Sequence, residues 1–227
     1  ILALPVYFWR ELLRLIATFP RGERGNHTIL THPLSLTMIA FIVTAAPAYI
    51  LKHKILQNLE SFTVIGLALL IGGIVMWAVD ALCRNPHVQR IDEMSLPQAV
   101  WIGAVQILSA LFPGTSRSMA TIAGAQIVGL SRTAALEFSF FVSMPTMAAA
   151  TLNELKDFVK PKDEAVGLAH VTMGCHQWLL LTIGLVVSFV VALAVIAWFM
   201  AWVRRRGFVP FAIYRIIVGI AVLIWLR

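Results

Sequence analysis

A Pro113-Gly114 break followed by Thr115, Ser116, Arg117 and Ser118 separates two apolar runs, residues 99–112 and 119–130, each too short to cross a bilayer. The surrounding chain decides where such a turn can lie. Of its 227 residues 59% are hydrophobic and 13% charged, with a mean hydropathy of +0.85. Soluble domains carry roughly 25% charged residues, so this is an integral membrane protein. At membrane depth, irregular backbone survives only where it is buried in protein or lines a wet cavity. An arginine there is a mark of function, because an uncompensated one costs at least about 2.5 kcal/mol. Residues 106–132 therefore read as an anion site set into the membrane.

The rest of the chain supplies spans around that turn. Residues 1–16 start apolar and become amphipathic at Arg10, Glu11 and Arg14, as the tail of a spanning helix entering an interfacial turn would. A polar loop follows over 19–32, where His27 and His32 lack the companions of a metal site. Residues 33–51 form a span with Pro47 expected to kink or fray its end. The next span, 62–83, carries Gly66, Gly72 and Gly73 as a face for close helix packing. Asp80 in its last turn reads as a carboxylate reaching the interface. Ser95-Leu-Pro-Gln has the form of a helix start. Full spans are expected at 134–152, 178–203 and 208–226, the last interrupted by Tyr214-Arg215.

Two half-length runs joined by Pro-Gly predict a helical hairpin that enters the membrane and returns to its own side. Charge supports that count. With a returning hairpin, Arg10, Arg14, Arg21, Arg24, Arg84, Arg90, Arg132 and Arg204 to Arg206 share one side, and the lysines and Arg227 share the other. The arginine side is then cytoplasmic and the C-terminus outside. A single full crossing would erase this bias. The net charge of +7 is thus explained without nucleic acid. Cys83 and Cys175 fall on opposite sides, which excludes a disulfide between them and a cysteine metal cluster.

The turn offers what a phosphate or diphosphate needs. The helix after it presents unpaired N–H groups and the positive end of its dipole. Gly114 permits close backbone approach, Thr115, Ser116, Ser118 and Thr121 bring hydroxyls, and Arg117 can pair with two phosphate oxygens at once. Known soluble motifs do not account for it. A P-loop requires a lysine that is absent here. The acid-phosphatase pattern SRxxxH meets Thr121 where its histidine belongs, and no nearby His-Asp pair completes a serine triad.

The segment from 97 to 132 with its PGTSRSMAT, the run ALEFSFF at 135–141 and FVPFAIYR at 208–215 together resemble the undecaprenyl-diphosphate phosphatase (bacitracin-resistance) family. The resemblance extends weakly over almost the whole chain. It implies an all-α integral membrane bundle of two inverted repeats, each with a re-entrant helical hairpin. Residues 1–227 would be one polytopic domain, with 1–95 the remainder of the first repeat and 96–227 the second, its hairpin at 97–131. The implied activity is removal of the terminal phosphate of undecaprenyl diphosphate. This recycles the lipid carrier of cell-wall synthesis and confers bacitracin resistance. On matching positions, Ser116, Arg117 and Thr121 are implied catalytic residues, with Arg117 holding the diphosphate. Gly114, Thr115, Ser118, Arg132, Glu137 and Arg215 are implied substrate-binding or supporting positions. The resemblance also implies a divalent cation, Mg or Ca, held by a glutamate-rich first signature. That signature is not in this sequence and is expected before Ile1, so the 227 residues are expected to have little phosphatase activity by themselves. The bacterial plasma membrane is the implied location.

Two other classes fit parts of the pattern. Inverted repeats with broken helices are also transporter architecture, so a transporter or flippase for an anionic lipid or phosphate is the main alternative. A purely structural bundle would treat Arg117 as incidental.

Overall fold

The computed structural model describes residues 2–22, 28–51, 61–159 and 175–225, which form helices joined by short turns with no strand among them. Arg24, His27, Arg227 and four of the lysines (Lys52, Lys54, Lys160 and Lys162), on which the expected charge bias and loops partly rest, lie outside these residues. The helices are α1 (Ala3–Tyr7), α2 (Trp9–Thr18), α3 (Pro33–Ile50), α4 (Phe62–Leu82), α5 (Leu96–Leu111), α6 (Arg117–Ile127), α7 (Arg132–Val159), α8 (Cys175–Arg206) and α9 (Val209–Trp225). Four of them, α3, α4, α7 and α8, are long and apolar enough to cross a membrane. This is the all-α integral membrane architecture that composition requires.

The N-terminal stretch departs from the expected tail of a spanning helix. It breaks at Phe8, between the five-residue α1 and the ten-residue α2. The ring of Phe8 is buried against Phe140 and Phe141 of α7, and that anchorage turns the chain. Arg14 of α2 then pairs with Glu11 and, at 3.0 Å, with Asp92, which Arg90 also holds.

Small residues set the helix contacts. Gly73 of α4 lies so close to α9 that a Cβ there would stand 2.9 Å from the Ala212 carbonyl. On α9, a Cβ at Gly219 would come within 2.7 Å of the Leu70 nitrogen. Backbone-to-backbone contact of this kind is how helices associate where lipid is as apolar as leucine. Across α3 and α5, the Thr44 hydroxyl donates to the Gly103 carbonyl at 2.8 Å, satisfying a polar group that lipid could not. Pro47 sits inside α3, which continues to Ile50. No residue is buried in the most apolar window of helix α8, as in a helix that faces lipid along most of its length.

Helices α5 and α6 make an antiparallel pair. Ser95 and Gln98 form a capping box at the start of α5, with Pro97 in its first turn. Sixteen residues of α5 and eleven of α6 rise about 24 Å and 17 Å, short of a core of roughly 30 Å. Between the two, Trp101 Nε1 donates to the Gly124 carbonyl at 3.2 Å and Gln98 Nε2 to that of Val128 at 2.9 Å. The base is pinned by backbone: His87 and Val88 N–H donate to the Gly129 carbonyl, and Ser131 N–H to that of Val88. The pair thus returns the chain to the end from which it left.

Candidate anion site at the hairpin tip

The tip is built from the turn 112–116 and the first turn of α6. Gly114 adopts φ +93°, a conformation that L side chains rarely take. Its backbone lies against α4, where an added Cβ would stand 2.6 Å from the Ile65 carbonyl. Ser116 is extended and caps α6, its Oγ accepting from Met119 N–H at 3.4 Å. The N–H groups of Arg117 and Ser118, the first two of the helix, have no intrahelical acceptor. Ser116 Oγ and Ser118 Oγ are 3.1 Å apart. The half-buried Arg117 makes no ion pair among the described residues.

These side chains open onto a cavity of about 330 Å³. Ser116, Arg117 and Ser118 form one wall, and Ser139, Phe140 and Ser143 of α7 form the facing one. Leu4 of α1 and Met147 complete an apolar end. A positive charge, a helix N-terminus and several hydroxyls thus meet beside an apolar surface. That combination suits an anionic head group carried on a hydrocarbon chain.

The other site residues expected from sequence are placed as follows. Thr121 is withdrawn behind the wall, 2% exposed, with its hydroxyl 3.0 Å from the Ser118 carbonyl and 2.6 Å from Ser139 Oγ. Thr115 lies in the turn, its N–H donating to the Phe112 carbonyl at 3.0 Å. Arg215 of α9 does not line the cavity. Its guanidinium crosses Gly72 of α4 and donates to the Gly114 carbonyl at 2.9 Å. Arg132 is turned to Asp80, with Nε 2.6 Å from Oδ1 and a second bond of 3.1 Å to the Asp80 carbonyl. Glu137 pairs with Arg204 at 3.5 Å. Neither Arg132 nor Glu137 reaches the cavity, because each is held by an opposite charge on another helix.

Asp80 corrects the interfacial reading. It is 1% exposed, and its second oxygen accepts from the Phe208 N–H at 3.3 Å, so it joins α4, α7 and the start of α9. Sequence reasoning also missed Ser139, Ser143 and Leu4. The two serines stand one helical turn apart, a spacing visible in ALEFSFFVS, but nothing local says which face of α7 meets the tip.

As to a metal, no group of three or more His, Cys, Asp or Glu among the described residues could hold an ion. The cavity wall offers hydroxyls and a guanidinium, a donor set that does not fit a divalent cation.

A family model described as "Bacitracin resistance protein BacA" matches residues 1–221. The chain belongs to the BacA family. Among curated relatives, the undecaprenyl-diphosphatase of Koribacter versatilis (strain Ellin345) is 57% identical over 99% of this chain and 79% of that protein. The undecaprenyl-diphosphatase of Novosphingobium aromaticivorans is 40% identical over 100% of this chain and 79% of its own length. That of Caldanaerobacter subterraneus is 36% identical over 98% and 76%. The name these relatives share, undecaprenyl-diphosphatase, is that of a hydrolase.

Proposed function

We propose that this chain removes the terminal phosphate of undecaprenyl diphosphate, giving undecaprenyl phosphate for another round of cell-wall synthesis. The observation that carries the reading is Arg117, a half-buried cation with no ion pair among the described residues, on the wall of a hydroxyl-lined cavity. Its relatives' shared name supplies the substrate. Phosphoryl transfer to water asks the protein mainly for positioning and charge stabilisation. Arg117 would clamp two oxygens of the diphosphate, while the N–H groups of Arg117 and Ser118 and the hydroxyls of Ser116 and Ser118 receive the others. Gly114 and Thr115 shape the turn. Thr121 and Arg215 act from behind the wall, through Ser118 and Gly114, while Arg132 and Glu137 hold helices together away from it.

The hairpin α5–α6 is read as re-entrant from the cytoplasmic side of a bacterial plasma membrane, within a second repeat over 96–227. The arginine end, where Arg14, Arg90, Arg132 and Arg204 find their carboxylates, is then cytoplasmic and the C-terminus outside.

The test is phosphate release from a polyprenyl diphosphate by the purified protein in detergent. Arg117→Ala is expected to lower the rate by about 100-fold or more, the scale for loss of one charge-stabilising donor. A full rate in Arg117→Ala would overturn the assignment. Binding without release would favour a carrier.

A further inference from the structure

Two bonds hold the tip to its neighbours from opposite sides. On one, Arg215 of α9 holds the Gly114 carbonyl. On the other, Thr121, one turn into α6 from Arg117, meets Ser139 of α7 at 2.6 Å. Both hydroxyls are buried, at 2% and 5% exposure. Thr121 Oγ1 also lies 3.1 Å and 3.0 Å from the carbonyls of Arg117 and Ser118. A threonine hydroxyl has one proton. Donated back to its own helix, it leaves Thr121 Oγ1 to accept from Ser139, and the chain of bonds runs from α7 into the turn that bears Arg117.

We propose that Ser139 is a positioning residue of the anion site, acting through Thr121 to set the direction in which Arg117 enters the cavity. Arg117 has no ion pair among the described residues to fix it, so its aim depends on how the first turn of α6 is seated. Oxyanion stabilisation is steep in geometry, and a displacement of about 1 Å can cost up to about 100-fold. Ser139 also contributes to the cavity wall, where a seat that shifts would be felt directly. Thr146, on the same helix, donates to its own Val142 carbonyl and, among the described residues, has no tie to α6, so it serves as a control hydroxyl.

The inference rests on the diphosphate reading, and the test separates the two. Binding of geranylgeranyl diphosphate and release of phosphate are both measured on the 227-residue chain in lipid nanodiscs, with thermal unfolding followed in parallel. Ser139→Ala is expected to weaken diphosphate binding about tenfold, with Ser139→Thr restoring most of it and Thr146→Ala leaving it unchanged. In a Thr121→Val background, Ser139→Ala should add little further loss. Equal losses in both backgrounds, or wild-type affinity in Ser139→Ala, would overturn the positioning role. Binding without phosphate release would overturn hydrolysis by these 227 residues, as the absence of the glutamate-rich signature anticipates, and leave the positioning role supported by affinity alone. A wild-type chain that binds no diphosphate would sink both.

Discussion

Arg215 and Gly114, 101 positions apart in sequence, are joined by a bond of 2.9 Å from guanidinium to carbonyl. An arginine inside a membrane bundle is here spent on a turn rather than on a ligand. Arg215→Lys keeps the charge but loses the planar fork that lets the side chain lie across Gly72 and still reach Gly114. Diphosphate affinity is expected to fall about tenfold, with a modest drop in melting temperature in detergent. Wild-type affinity in Arg215→Lys would show that the tip does not need this bond.

Gly114 invites the reciprocal experiment. At φ +93°, with Ile65 backbone 2.6 Å from any added Cβ, Gly114→Ala meets both backbone strain and a collision. A loss of about 2 kcal/mol or more is expected, read as a lowered melting temperature. An unchanged melting temperature would contradict the seating of the tip against α4.

Asp80 predicts stability rather than activity. Its carboxylate receives Arg132 and the Phe208 N–H while itself almost fully buried. Asp80→Ala leaves that N–H without its acceptor and the half-exposed Arg132 without its anion. Breaking a buried pair by removing one partner costs about 3 kcal/mol, and solvent around Arg132 should reduce this somewhat. Thermal unfolding of Asp80→Ala, Arg132→Ala and the double variant checks it. The double variant should be less destabilised than the sum of the singles.

The direction of the hairpin is open to thiol chemistry. Cys83 ends α4 as a free thiol near the arginine end, and Cys175 begins α8. A membrane-impermeant maleimide applied to intact cells should label Cys175 and spare Cys83. The opposite pattern would reverse the topology and the positive-inside assignment with it.

Much of the fold was legible because its signals are local. Apolar run lengths gave the spans, Ser95 and Gln98 marked the start of α5, and Pro113-Gly114 marked the turn between α5 and α6. The grouping of Ser116, Arg117 and Ser118 on one cavity wall was legible for the same reason, since a capped helix N-terminus is contiguous in sequence. What escaped was pairing over distance. Asp80 looked interfacial because its partners stand 52 and 128 positions away. Thr121 looked like a cavity residue because its own helix faces the site, whereas Ser139 draws its hydroxyl backwards. The break at Phe8 depends on aromatic neighbours in α7 that no periodicity within 1–16 announces.

Gly72 does not line the anion cavity and carries no side chain, yet a Cβ there would lie 2.9 Å from the Arg215 guanidinium and 2.6 Å from Met119 Cε. The bare patch of α4 is therefore a gap through which the Arg215 side chain passes to Gly114. An alanine at this position would leave every residue of the anion cavity untouched and still move the Gly114 turn. Inherited drift at one helix surface would thus alter the turn that carries the cavity wall on another, through a residue whose contribution is to be missing.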